Sequence, residues 1–188
     1  MKIVCLGDSL TYGYMLPRKE AWPNILENIT DHRVINRGIN GDTTAGMLSR
    51  FQADVVSENP SRLIIMGGTN DFFNGIGYIN AALNIKTMIM QCKYYMIKPM
   101  VLIPVPVISV EPMLLMKAGQ VNAQINKLRD ELMGFKSMED FILIDLNEKI
   151  TELIDKNLAM EYYLDDIHLN SKGNELVADL VKSHLEGE

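Results

Sequence analysis

The chain has only two cysteines, one tryptophan and three histidines in 188 residues. Cys5 and Cys92 are too few for a disulfide framework or a four-cysteine zinc site. Both sit among apolar neighbours, as buried thiols in a reducing compartment would. Basic residues are the minority: 18 Lys and Arg against 24 Asp and Glu leave a net charge of −6. A general nucleic-acid binder needs a basic surface to neutralise phosphates, so no nucleic-acid partner is expected. Long hydrophobic runs are missing too. The longest apolar stretch, Met100 to Val110, is broken by Pro104 and Pro106 and is too short to cross a bilayer. Met1 to Leu6 pairs one positive charge with an apolar run too short for a signal peptide. No stable membrane insertion is expected, and the cytoplasm is the expected location. Repeats, low-complexity tracts and linker-like shifts are absent. One domain over residues 1–188 is the expectation, and nothing points to an oligomeric state.

What is present is a globular composition, 47% hydrophobic and 22% charged. A domain of this size removes roughly 70% of its unfolded surface from water, enough for a full core without staples. Short aliphatic runs alternate with helical patterns. The runs are Ile3–Leu6, Val34–Asn36, Leu63–Met66, Val101–Ile103 and Ile142–Ile144. Between them lie helical stripes: Met47, Leu48, Phe51 and Val55; Ala82, Ile85, Ile89, Cys92 and Met96; Val121, Ile125, Leu128 and Leu132; and Leu176, Val177, Leu180 and Val181. Trp22 to Ile29 reads as a shorter helix, with Pro23 suited to its first turn. Strands alternating with helices predict an α/β fold: a three-layer α/β/α sandwich around a five-stranded parallel sheet. The flavodoxin-like strand order 2-1-3-4-5 is chosen because polar residues gather where that order reverses, which is where such sheets bind ligands.

Three strands run into small or polar turns on one edge. Strand 1 leads into Gly7-Asp8-Ser9-Leu10, strand 2 into Asn36 through Thr43, and strand 3 into Gly67-Gly68-Thr69-Asn70-Asp71. A fourth polar group, Asp165-Asp166-Ile167-His168, precedes the last helix. Ser9 on a strand-to-helix turn is either a helix cap or a nucleophile awaiting a base. Of the three histidines, His184 falls in the last turn of the final helix and His32 in a charged connection before strand 2. Only His168 sits in a polar loop suited to proton transfer, although a loop histidine bonded to backbone fits as well. Asp165, three residues earlier, can fold back to the imidazole; Asp166, at two residues' distance, points elsewhere more easily. The Ser9 backbone N–H, the Gly41 N–H and the Asn70 amide are candidate oxyanion donors. Taken alone, Gly41 reads first as a turn glycine and Asn70 as a helix cap. Asp8 and Asp42 are expected to hold their turns by bonding nearby N–H groups.

Together these residues resemble the SGNH hydrolases, the GDSL esterase/lipase family. Gly7-Asp8-Ser9-Leu10, continuing through Thr11-Tyr12-Gly13, matches its first block. Asn40-Gly41-Asp42-Thr43 matches its second, Gly68-Thr69-Asn70-Asp71 its third and Asp165-Asp166-Ile167-His168 its fifth. The resemblance covers most of the chain. It implies a Ser9–His168–Asp165 triad, Gly41 and Asn70 as oxyanion residues, and cleavage of acyl esters or thioesters with no cofactor and no metal. A small-molecule acyl ester or thioester is then the expected partner. Asp8, Phe72, Pro106 and Ile167 are the expected substrate-contacting positions. The segment Pro104 to Ile108, continuing through Pro112-Met113-Leu114-Leu115-Met116, is expected to line or cover an acyl site, helped by a high methionine content.

Other chemistries fit less well. There is no G-x-S-x-G elbow and no G-x-G-x-x-G after strand 1. A phospho-acceptor receiver wants paired acids after strand 1 and a lysine after strand 5. A two-metal phosphoesterase wants clustered histidines and carboxylates. A carbohydrate O-acetyl deacetylase using the same triad, and a noncatalytic flavodoxin-like ligand-binding domain, are the alternatives.

Overall fold

The aliphatic runs are continuous rather than alternating, which suits strands covered on both faces. In the computed structural model they form β1 (Lys2–Gly7), β2 (Arg33–Gly38), β3 (Arg62–Met66), β4 (Lys98–Ile103) and β5 (Ile142–Asp145). The structure describes residues 1–108, 112–155 and 161–187, apart from the side chains of 112–116 and 154–155. All neighbouring strands pair in parallel, in the order β2-β1-β3-β4-β5. The expected α/β/α sandwich and strand order are therefore what the chain adopts.

Helices cover both faces: α1 (Ser9–Tyr12), α2 (Trp22–Ile29), α3 (Thr44–Ser49), α4 (Phe51–Asp54), α5 (Thr69–Phe73), α6 (Tyr78–Tyr94), α7 (Pro112–Lys136), α8 (Leu146–Asp155) and α9 (Ser171–Glu186). Alternate strand residues feed two cores. Val4, Leu6, Leu63, Ile65, Val101 and Ile103 meet residues of α3, α4, α6 and α7. Ile3, Cys5, Ile64, Met66, Met100 and Leu102 meet α2, α8 and α9. Asn174 fastens the second layer, accepting the Trp22 N–H at 3.0 Å and donating to Leu169 and Asn170 carbonyls. Both cysteines are free and buried.

Two helical stripes differ from expectation. The stripe through Met47 and Val55 is cut at Arg50, the residue between α3 and α4, although Met47, Phe51 and Val55 are all buried. The cut lets the Arg50 guanidinium reach the strand ends. Met96 is 90% exposed with φ +57°, beyond the end of α6. Ile97, whose N–H bonds the Cys92 carbonyl, takes the buried place instead. The helix α8 was not anticipated. Of the segment proposed to line an acyl site, residues 109–111 and the side chains of Met113 to Met116 lie outside the described residues.

The register places Gly7 beside Gly38 of β2 and beside Met66 of β3, so three strands end level. α1 then lies directly against β2. A Cβ on Gly38 would come within 2.2 Å of the Tyr12 backbone N and 2.6 Å of its Cα. Neither atom can move without displacing α1. Gly38→Ala is therefore expected to cost about 1–3 kcal/mol through overpacking, a fall in Tm on the order of 5 °C. A melting curve identical to wild type would show that α1 does not rest on that backbone.

Candidate active site

The level strand ends release three turns that meet at one place. After β1, the Asp8 side chain caps α1 by accepting the Leu10 N–H at 2.9 Å, which makes Ser9 the first residue of that helix. Gly13 closes α1 after one turn with φ +84°. After β2, the Asp42 N–H bonds the Ile39 carbonyl, and Gly41 sits at the turn position that requires positive φ, here +76°. No heavy atom lies within 4 Å of where its Cβ would stand, so the Gly41 backbone borders open space. After β3, Asn70 is the second residue of α5, and its Nδ2 donates to the Asp42 carbonyl at 2.9 Å. The third turn is thereby tied to the second.

The fourth piece is a short loop held as a hairpin. Tyr163 and Leu169 form an antiparallel bridge, the Leu164 N–H bonds the His168 carbonyl, and the Asn170 N–H bonds the Tyr162 carbonyl. The Tyr163 hydroxyl donates to the Pro106 carbonyl at 2.6 Å, and the Ile108 N–H donates to the Asp166 carbonyl at 2.8 Å. The β4–α7 connection therefore braces this loop from below. Within it, Asp165 Oδ1 accepts the N–H groups of Ile167 and His168 at 2.8 and 2.7 Å, and Oδ2 meets His168 Nδ1 at 2.8 Å. A carboxylate only accepts, so Nδ1 carries the hydrogen and Nε2 presents its lone pair. That Nε2 lies 3.0 Å from Ser9 Oγ, joining residues 159 apart in sequence.

Electrostatics differ sharply between the acids. Burial on its own raises Asp165, but the two backbone N–H bonds and the His168 ring outweigh it and leave the carboxyl below its ordinary value. Asp71 is raised by burial, while both its oxygens accept bonds from Thr44 and moderate the rise. Asp8 is pushed up to about 7 by burial, helped by the nearby carboxylates of Asp42 and Asp71 and opposed by its bond from Leu10. Asp42 is paired with Arg50 at 2.8 Å.

The structure brings Ser9, Asp165, His168, Gly41 and Asn70 to one edge. Of the other expected contact positions, three are buried and one is half-buried. Asp8 is buried against Asn70, and Pro106 is buried with its carbonyl bracing Tyr163. Phe72 is 8% exposed and belongs to the first core, while Ile167 packs against that core half-buried. Phe72 and Phe73 also line a cavity of about 400 Å³ with Ile76, Val121, Lys117 and Gln120. Among the described residues, no three histidine, cysteine or carboxylate side chains come together as a metal ion needs. Two neighbours were missed. Tyr14 stacks on His168 with ring centroids 4.5 Å apart and a 37° tilt; no motif marks it. Arg50 donates to the Gly7 and Arg37 carbonyls and to Asp42 and Asp54. Its only sequence trace is a lone cation inside an apolar stripe.

The chain is similar to known proteins in both sequence and fold. An arylesterase from Vibrio mimicus is 38% identical over 79 residues, 39% of this chain and 40% of that protein. Esterase TesA from Pseudomonas aeruginosa is 29% identical over 96 residues, 48% of each chain. The chain thus matches about half or less of the length of these curated relatives. Among solved structures, a member of the lipolytic protein G-D-S-L family from Veillonella parvula superposes with a TM-score of 0.83 at 19% identity, covering 97% of both chains. The acetyl xylan esterase AlAXEase superposes at 0.81 with 23% identity, covering 98% and 99%. A family model for the GDSL-like lipase/acylhydrolase family matches residues 5–176. With its sheet order, its strand-end turns and that match across nearly the whole chain, the protein belongs to the GDSL-like lipase/acylhydrolase family.

Proposed function

We propose that residues 1–188 form one serine hydrolase domain that cleaves small acyl esters or thioesters through an acyl-enzyme at Ser9. The observation that carries this reading is the 3.0 Å approach of His168 Nε2 to Ser9 Oγ, with Asp165 holding Nδ1 at 2.8 Å. His168 takes the hydroxyl proton as Oγ attacks the acyl carbonyl carbon. The carbonyl oxygen becomes an oxyanion facing the Ser9 and Gly41 N–H groups and the Asn70 amide. The imidazolium, stabilised by Asp165 and covered by the Tyr14 ring, returns the proton to the departing alcohol or thiol. Water then gives a proton to His168 and attacks the acyl carbonyl carbon of the Ser9 ester; His168 returns that proton to Ser9 Oγ as the carbon–Oγ bond breaks and the acid leaves. The names of the relatives, arylesterase and esterase TesA, support the ester class.

Phe72, two residues beyond Asn70 in sequence, and Phe73 give one side of the cavity an apolar wall, which Lys117, Gln120 and Gln124 complete with polar groups; the acyl chain is assigned there. Acetylated sugars, cleaved by the same residues, are the alternative substrate class. The free, buried cysteines support a reducing compartment such as the cytoplasm. Among the described residues no helix is long and apolar enough to cross a membrane.

Ser9→Ala is expected to lower kcat/KM on 4-nitrophenyl acetate on the order of 10⁴-fold or more. A fluorophosphonate should label one peptide, the one containing Ser9. Wild-type turnover in Ser9→Ala would remove the nucleophile assignment. In a chain-length series of esters, activity that extends past acetyl supports the apolar pocket; activity confined to acetyl, shared with acetylated sugars, favours the deacetylase.

Asp165→Asn should cost on the order of 10⁴ in kcat, because the imidazole loses the acceptor that sets its tautomer. It also carries a stability signature. A carboxyl whose folded pKa is depressed stabilises the fold above its unfolded value, and that contribution is lost as pH falls through the folded value. The Tm deficit of Asp165→Asn should therefore be present at pH 7 and shrink below the carboxylate range. A deficit that does not change with pH would mean that Asp165 holds its loop without its charge.

A further inference from the structure

The carboxyl next to the nucleophile has no part in the triad. Asp8 is 1% exposed. Oδ1 accepts the Leu10 N–H at 2.9 Å, and Oδ2 lies 3.4 Å from Asn70 Nδ2. The Asn70 amide has two N–H groups. One is committed to the Asp42 carbonyl at 2.9 Å. That bond also decides which way the amide faces, because a flipped amide would set its oxygen against the Asp42 oxygen. The second N–H is the one an oxyanion must use, and in the resting site it faces Asp8.

Charged groups surround Asp8 from each packed element. Asp42, after β2, is neutralised by Arg50. Asp71 on α5 is bonded twice by Thr44. Arg50 donates to the carbonyl of Gly7, one residue before Asp8, but spends its other arms on Asp42, Asp54 and the Arg37 carbonyl. His168 lies beyond Ser9 and is paired with Asp165. Among the described residues no cation bonds Asp8.

We propose that Asp8 is a positioning residue for the oxyanion donor and acts as the neutral acid: protonated, it releases the second Asn70 N–H to the developing oxyanion; ionised, it retains that N–H. The physical reasons are two. A hydrogen bond to a carboxylate is roughly twice as strong as one to a neutral acceptor, so ionised Asp8 competes for the donor. A carboxylate beside the oxyanion also repels it, and the low-dielectric surroundings strengthen that repulsion. In the neutral acid the proton belongs on Oδ2, since Oδ1 already accepts from Leu10. Donor then faces donor, so the second Asn70 N–H loses its acceptor at Asp8 and is left to the substrate oxygen.

Burial holds the Asp8 carboxyl at about 7, with Asp42 and Asp71 adding to the rise, so the change of form falls within the working range of an ester hydrolase. Asp8 must be protonated, so rising pH removes activity and gives the rate profile an alkaline limb that belongs to Asp8.

The inference rests on the acyl-transfer reading, and the test separates the two. kcat/KM on 4-nitrophenyl acetate is measured from pH 5.5 to 9.5 for wild type and Asp8→Asn, whose amide is uncharged and of the same shape. Wild type should fall at least tenfold from its maximum to pH 9, and Asp8→Asn should lack that fall. An equal fall in both, or a flat wild-type profile, overturns the role of Asp8. The rate of fluorophosphonate labelling of wild type across the same range reads the same limb without a variant. It should fall likewise, and a flat labelling rate overturns the proposal even where Asp8→Asn fails to fold. Absence of labelling at every pH would instead strike the acyl-transfer reading itself.

Discussion

A single contact, His168 Nε2 to Ser9 Oγ at 3.0 Å, joins the end of the first strand to the loop before the last helix. Everything else at this edge sets its length. Ser9 is held by a one-turn helix capped by Asp8 and closed by Gly13. His168 is held by a hairpin that Asp165 fills from within and Tyr163 ties to Pro106 from below. Neither support depends on the other locally. They meet because the sheet order sets β1 in the interior, and α9 packs on the α2 face through Asn174 and Trp22.

Beneath that contact lies a second layer of polar ties that joins the three strand-end turns. The guanidinium of Arg50 spans β1 and β2 through the Gly7 and Arg37 carbonyls while neutralising Asp42 and Asp54. Asn70 bonds the Asp42 carbonyl, and Asp71 holds the start of α3 through Thr44. Side chains that bond backbone carbonyls cannot shift without leaving polar groups unsatisfied, which buried sites do not tolerate cheaply. A candidate oxyanion site built this way is rigid before substrate arrives, the condition under which fixed donors stabilise charge best.

The sheet was readable because burial on two faces leaves continuous aliphatic runs. The strand order followed from where Ser9, Gly41 and Asn70 fell. Each of those residues, like Asp165 and His168, has an ordinary cap, turn or loop task when taken alone; it was their joint order along the chain that marked them as one site. What escaped the sequence depends on distance in space. Arg50 looks like a surface cation in an apolar stripe until the helix breaks and points it at strands 13 and 43 residues away in sequence. Tyr14 reaches His168 only because the chain leaving α1 folds over the site. The end of α6 was misjudged at Met96 because helical spacing continues one step past the point where the backbone turns left-handed, and Ile97 fills the core instead.

The acids at this edge show how a fold distributes electrostatic cost. Asp42 has a cation, Asp71 has two donors from one threonine, and Asp165 has three N–H partners counting the imidazole. Asp8 has one short bond and two carboxylates for neighbours. A buried group left so poorly matched is a local conflict, and native sequences keep such conflicts mainly where function uses them. Capping α1 does not require an acid in this position, since asparagine or serine would accept the same N–H. A carboxyl differs from those in being able to change charge, and it sits against the Asn70 amide hydrogen that the Asp42 carbonyl leaves free. The conflict at Asp8 is therefore best understood through Asn70 rather than through the helix that it caps.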